Sequence, residues 1–436
     1  MTAVLDAAAG VDVADRAVQA ARAAGADDAQ VIHIYDELFE ITYDNNDIGM
    51  IRTTVDDQVN LTVFVGGAKG QSSLTGRSHD LIDQAAAEAV AAARAGVPDP
   101  ANGVAEGPLT ALADLGAQEP EQEVMLDAIV RYQAYVREHY PQILMRDSTY
   151  EFRNRWRSFA NSAGLQHQER RGSYTGTTIF SAKDGERATS FNYTSASSVA
   201  PFAELIDVAT VRHLLDNTIA SFDPKPVPET FVGDVIFTPD SLDTLMNTVL
   251  QSLTGYVLMR GTSPFQDAIG SAVADARLTV TNRPLSPVFP LASTFDGDGV
   301  PSSDLPIITN GVLENHLIDW YTSRKLERPM TAGVFALDVT PGDQTFDDLV
   351  ANTERGIILG RFSGGMPNQQ LDFSGVAKNS FYVENGKVQF PINETMIAGN
   401  FVELLGAIRG IGSEAVNYGG HAFPSLAASG VTISTK

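Results

Sequence analysis

Between Val59 and Val65 the chain sets Val59, Leu61, Val63 and Val65 at every second position, with Asn60, Thr62 and Phe64 between them, and then turns on Gly66-Gly67. A period of two puts the four aliphatic side chains on one face of a strand, and a two-glycine turn returns the chain antiparallel to itself. The return strand runs from Lys69 to about Leu74. Two more hairpins are signalled by Asn-Gly between apolar runs, at Asn310-Gly311 and Asn385-Gly386. Both central residues of such turns need positive φ, which Asn and Gly tolerate. Antiparallel sheet is therefore the backbone of this architecture, and helices are set among the strands.

The helices read from their apolar faces and their stops. Ala14–Ala24 ends at Gly25, and His79–Ala95 is closed by Gly96 and Pro98. From Glu121 to Tyr140, Val124, Ala128, Ile129, Tyr132 and Val136 share one face until Pro141 ends the helix. Ile143 to Ala196 reads as β with a turn at Asn161–Gly164, and Leu205–Ala220 and Leu242–Tyr256 read as helices. The fold class is α+β. An N-terminal helix and antiparallel-strand unit spans 1–98, a linker rich in Pro, Gly and Ala spans 99–120, and a β-rich middle with flanking helices spans 121–222. After the stiff connector Pro224–Pro228, a large and mostly antiparallel β domain spans 229–436.

Composition narrows the function classes. The 436 residues carry 54 acidic and 30 basic side chains, a net charge of −24, and no cysteine. That charge repels a phosphate backbone, and no run of Lys or Arg is long enough to override it, so no nucleic-acid partner is expected. Zero cysteine removes disulfides, thiolate nucleophiles and sulfur-ligated zinc. No apolar stretch reaches the roughly 20 residues of a membrane span. The segment Met1–Ala21 lacks the basic lead and apolar run of a signal peptide, so a soluble, cytoplasmic protein is expected.

Few residues announce chemistry. No two of the seven histidines (33, 79, 139, 167, 213, 316 and 421) lie within five residues, so a helical two-histidine metal motif is missing. His421 follows Gly419-Gly420 on a loop that looks built to present it. Phe295-Asp296-Gly297-Asp298-Gly299 faintly resembles a calcium loop but lacks the closing Glu and flanking helices, so a tight polar turn is expected. Gly360–Gly365 offers backbone N–H groups and Arg361 to an anion, yet lacks the Lys-Ser/Thr of a P-loop and reads as a loop between strands. Serine-nucleophile motifs are missing as well.

Three segments carry a family resemblance: VNLTVFVGGAKGQSSLT near the N-terminus, Ala292–Leu326, and SFYVENGKVQFPINETMIAGNFVELLGAIRGIGSE over Ser380–Glu414. Together, in this order across the chain, they resemble the TldD/PmbA family in its PmbA branch, also called TldE.

The resemblance implies a heterodimeric zinc metallopeptidase that processes peptides. A TldD-like subunit carries a helical His-Glu-x-x-x-His motif and a third ligand near its C-terminus. The TldE-like subunit shares the fold, lacks the ligands and helps enclose the cleft. If Ser252-Leu253-Thr254-Gly255 matches the Gly-Leu-Glu-Gly after the motif, Met246, Asn247 and Gln251 stand where His, Glu and His should be. Asn cannot act as general base, and Met and Gln are poor zinc ligands. Tyr418-Gly419-Gly420-His421 occupies the third-ligand region.

The expectation is a chain with no catalytic residue and no metal of its own. Zinc belongs in a TldD-like partner, and a homodimer is the alternative state of the isolated chain. Arg260, His316 and His421 are the candidates to line the shared cavity. A pair diverted to a non-hydrolytic tailoring step in natural-product or modified-peptide biosynthesis is the alternative function. A scaffold role tied to the family's older label as a modulator of DNA gyrase is disfavoured by the charge.

Overall fold

The computed structural model describes residues 7–107, 113–331, 333, 336–365 and 367–435. Among these, the strands form two mixed sheets, of nine and thirteen strands, with helices packed on them, an α+β architecture.

The first sheet is built by α1 (Ala7–Ala23), β1 (Asp28–Tyr43), β2 (Ile48–Val65), β3 (Ala68–Thr75) and α2 (His79–Ala95). It continues through β4 (Ala113–Leu115), α3 (Gln122–His139), β5 (Ile143–Met145), β6 (Ser148–Asn161), β7 (Gln166–Asp184), β8 (Arg187–Ala188) and β9 (Asn192–Ser198). Gly66 and Gly67 turn with φ of 57° and 77°, as a two-residue hairpin between twisted strands requires. The strand order is β3-β2-β1-β6-β7-β4, with β5, β8 and β9 also paired to β7. β1 pairs along its length with β2 on one side and β6 on the other. Residues on both sides of 99–120 thus share one sheet.

That stretch is itself pinned. Asp99 N and Asn102 Nδ2 donate to Gly67 O, Asn161 Nδ2 donates to Ala105 O, and β4 lies parallel to β7. Residues 108–112 of the expected linker lie outside the described residues.

The period of two divides the sheet's faces. On one, Phe39, Ile41, Tyr43, Tyr150, Phe152 and Tyr174 pack under α3 and α4 (Val211–Ala220), while Val31, Val59, Leu61 and Val63 pack under α1 and α2. Burying each such side chain stabilises by roughly 1.5–3 kcal/mol relative to exposure. On the other face, Phe159 joins Leu165 and Ala105 in a small core with Phe295 and Val300 of the C-terminal half.

The second sheet centres on β10 (Phe231–Phe237), antiparallel to His421–Ser434 on one side and parallel to Arg355–Leu359 on the other. α5 (Pro239–Ser252) lies on it, burying Leu242, Leu245, Met246, Val249 and Leu250 in the largest core. Both Asn-Gly turns form hairpins, with φ of 48° and 80° at Asn310-Gly311 and 52° and 71° at Asn385-Gly386. No helix among the described residues is long and apolar enough to cross a membrane.

Three local readings change. The helix expected over Leu242–Tyr256 begins at Pro239, whose fixed φ suits the first helical position, with Thr238 capping Ser241 N. It breaks before α6 (Gly255–Met259), because Thr254 is extended and bridged to Leu317 while Gly255 N donates to Leu317 O. The Leu205–Ala220 helix is likewise two pieces, a 3-10 turn at Leu205–Asp207 and α4, separated by Ala209 at φ 46°. The Gly360–Gly365 loop is a strand over Arg361–Gly364 paired with Asp372–Lys378, since Gly364 and Gly375 let the two backbones approach around the Phe362 ring.

Candidate functional site

An α-helix advances 100° per residue, so positions four apart share a face and positions five apart do not. On α5 this puts Asp243, Asn247 and Gln251 on the face opposite the core stripe. With Leu250 and Thr254 they form one wall of a cleft of about 410 Å³. Met246 falls on the buried side, fully enclosed. Of the three positions matched to His-Glu-x-x-x-His, two line the cleft and one points into the core.

The facing wall is the turn Tyr418–His421. Gly419 has φ 89°, and a Cβ there would stand 2.6 Å from Ser197 O of β9, so only glycine lets the turn seat against the first sheet. His421 is stacked between the rings of Tyr418 and Phe423, at centroid distances of 4.8 and 4.4 Å. Its Nε2 lies 3.9 Å from Asp243 Oδ1 across the cleft. Burial pushes its pKa down, and Asp243 and Asp240 pull it back up. Asn247 Nδ2 donates to Asp243 Oδ1 at 2.7 Å. Behind them the half-buried Asp240 accepts from the Thr210 and Thr194 hydroxyls; partial desolvation raises its pKa despite these bonds.

The third wall holds two more carboxylates, each committed to backbone. Asp319 Oδ1 accepts from Thr322 N as the cap of the helix Trp320–Leu326. Asp296 Oδ1 accepts from Asp298 N and Val300 N, both at 2.9 Å, which makes Phe295–Gly299 the tight polar turn expected. Burial lifts the Asp296 carboxyl to about 6.

The cleft therefore offers one imidazole, an Asp243 carboxylate beside it, and two neutral amides. Amide side chains are poor ligands for zinc, and among the described residues no three His, Cys, Asp or Glu converge to hold a metal. This donor set does not fit a catalytic zinc.

The other two candidates lie elsewhere. His316 is buried and lines a separate cavity of about 590 Å³ with Asp267, Glu314 and Arg328. Its Nε2 bonds Phe265 O at 2.9 Å, which makes that nitrogen the donor and leaves Nδ1 to accept from Arg328 Nη1 at 3.1 Å. Burial, together with Arg328, holds its pKa down. Among the described residues, Ile318 and Thr331 line both cavities. Arg260 is exposed at the end of α6, its guanidinium over the Tyr256 ring, and lines neither cavity.

Sequence reading missed a second cluster. Arg153, Arg155, Arg157 and Arg171 converge with Glu169 in a pocket of about 280 Å³ against Pro290–Ser293. The signal was present as Arg-x-Arg-x-Arg in β6, where the period of two puts all three on one face.

Residues 230–435 match the model of the PmbA/TldA metallopeptidase C-terminal domain. The chain is 26% identical over 374 residues to the metalloprotease PmbA of Escherichia coli O157:H7, an alignment covering 82% of this chain and 81% of that protein. It is 24% identical over 376 residues to a PmbA homologue of Haemophilus influenzae, again covering 82% and 81%. The crystal structure of TldE from Thermococcus kodakarensis superposes with a TM-score of 0.83 at 17% identity, over 97% of this chain and all of that one. The domain match lies on the half that carries α5 and His421, and the relatives extend the likeness over 82% of the chain: residues 230–435 belong to the PmbA/TldA metallopeptidase C-terminal domain family, and the chain as a whole is similar to PmbA metalloproteases.

Proposed function

We propose that this chain is the non-catalytic, TldE-like subunit of a two-subunit peptidase, closing the cleft of a TldD-like partner that carries the zinc and cleaves peptides. The observation that carries this reading is the α5 wall. At the positions matched to the family's metal motif, Asn247 and Gln251 present amides and Met246 is turned into the core. A general base and two imidazoles are what such chemistry needs there. A protein described as a zinc metalloprotease TldD homologue, from Saccharolobus solfataricus, is 26% identical over 133 residues, which supports a zinc-bearing subunit on the other side of the pair.

The test is co-expression with a TldD-like protein from the same genome, followed by zinc analysis and peptide cleavage for each subunit and the pair. This reading expects zinc in the partner, none in this chain alone, and cleavage by the pair. Stoichiometric zinc in the isolated chain would overturn it. Within the assembled pair, His421→Ala is expected to reduce turnover with assembly unchanged, because His421 faces the cleft beside Asp243.

A further inference from the structure

We propose that the arginine pocket between β6, β7 and Pro290–Ser293 is a binding site for a peptide carboxylate. In a chain with net charge −24, four guanidinium groups share one small recess. β6 supplies Arg153, Arg155 and Arg157 from alternate positions, and β7 supplies Arg171 directly opposite Arg155. Two carboxylates bond them, Asp36 from β1 and Glu169 from β7, and a third, Asp56 of β2, stands opposite Asp36, so four cations face three anions. Glu40 and Glu151 pair with each other two strand positions beyond Leu38 and Arg153, and Glu40 is met there by Arg52.

The two inner carboxylates are already spent. Asp36 takes Arg155 Nε and Nη2, both at 2.7 Å, and Arg153 Nη1 at 3.1 Å. Glu169 is buried and accepts from Arg157, Ser293, Arg171 and both the backbone and hydroxyl of Thr294. Burial works against its charge, but these partners hold its pKa below the ordinary range. Arg157 is fixed further by Ser293 and the Phe295 carbonyl, and its guanidinium sits 4.6 Å from the Phe295 ring centre. Arg171 Nη1 bonds Phe289 O at 3.4 Å. Nη2 of Arg153, Arg157 and Arg171 and Nη1 of Arg155 have no protein partner among the described residues. Arg155 and Arg171 are held by two of their other nitrogens and Arg153 and Arg157 by Nη1, while these donors stay open.

Shape selects the ligand. A planar carboxylate has two oxygens, and the open N–H donors of neighbouring guanidinium groups can meet both at once. A cavity of about 280 Å³ takes one such group with a short aliphatic arm, and the wall supplies Pro290, Leu291 and Ala292 for the arm and the Ser173 hydroxyl for a further bond. The pocket also adjoins the His421 cleft. Leu291 lines it, donates its N–H to Gly419 O at 3.1 Å, and stands against Gly420, which lines the cleft. A peptide lying in the cleft could place its carboxylate, terminal or from an acidic side chain, among the arginines. Only the identification of the ligand as a peptide rests on the proposed function.

The experiment is calorimetric titration of the isolated full chain at low salt. The probes are a short apolar peptide as free acid, the same peptide as C-terminal amide, the amide with one Glu, and inorganic phosphate. The expected result is binding of the free acid, the Glu peptide or both, at least tenfold tighter than the plain amide. Losing one charge-assisted contact is expected to weaken binding roughly tenfold or more in Arg155→Gln and, independently, in Arg153→Gln. Thermal melting of each variant guards against misfolding, and two variants guard against one failing to fold. Equal affinity for acid and amide, affinity unchanged in both variants, or binding of phosphate without either carboxylate peptide would each overturn the proposal. Because the partner is absent from this titration, failure to find a zinc-bearing partner would sink the functional reading and leave this result standing.

Discussion

Arg155 and Arg171 stand directly opposite one another on adjacent antiparallel strands, a like-charge pair that by itself destabilises a sheet. What holds them is the flanking pair of carboxylates, Asp36 in a two-bond fork with Arg155 and Glu169 with Arg171. Asp36→Asn removes the carboxylate charge that Arg155 and Arg153 share, so Arg155 faces Arg171 with only Glu169, bonded to Arg171, left between the strands' cations. Urea unfolding is expected to show a loss of roughly 1–3 kcal/mol, of which Arg155→Gln in the same chain recovers part. An unchanged midpoint in Asp36→Asn would contradict this account.

The two sides of α5 should respond oppositely to the same substitution. Met246→His buries an imidazole in a closed apolar core and is expected to cost about 2–4 kcal/mol. Gln251→His faces the cleft and is expected to change stability by less than about 1 kcal/mol. Thermal melts of the two variants side by side decide the matter, and comparable losses would show that the helix sits in another register.

Asp296 makes stability fall with rising pH. Its carboxyl is raised from 3.8 to about 6, so between those values the folded chain holds a proton that the unfolded chain releases. The stabilisation is complete below about pH 4 and is lost as pH rises through about 6. Asn keeps an acceptor oxygen for Asp298 N and Val300 N without the buried charge. Asp296→Asn is therefore expected to be more stable than the parent above pH 6, by roughly 1–3 kcal/mol, and to match it near pH 4. Denaturation series at pH 4, 6 and 8 test the slope.

Gly299 joins the two halves of the molecule. It has φ 78°, its carbonyl accepts from His167 Nε2 at 2.7 Å, and a Cβ would fall 2.3 Å from the buried Phe159 ring. Gly299→Ala is expected to cost about 2–4 kcal/mol through backbone strain and overpacking. The third wall of the cleft should loosen with it, visible as faster amide exchange at Asp298 and Val300. Exchange confined to another region would refute the link.

Much of the molecule was legible in the chain. The hairpins at Gly66-Gly67, Asn310-Gly311 and Asn385-Gly386 form where the turn residues place them, because a two-residue turn with positive φ is decided by the residues that make it. The apolar stripe of α5 likewise follows from spacing alone. The break at Thr254 was not legible, since it comes from pairing with Leu317, far along the chain. Nor did contiguous runs reveal the basic recess: a strand collects charge from every second residue, and Arg171 arrives by register from the next strand.

The sequence by itself determined the local elements, the acidic balance, the lack of thiolate, and the residues Met246, Asn247 and Gln251 on α5. Only the tertiary structure decided which of them face the same space. It turned Met246 inward, set His421 against Asp243, sent His316 to a separate cavity, and closed four arginines around two carboxylates. The physical reason is one of range. Periodicity and turn preference act over a few residues and can be read along the chain. Convergence depends on strand register and on how one sheet packs against another, and these are settled by the burial of the whole core.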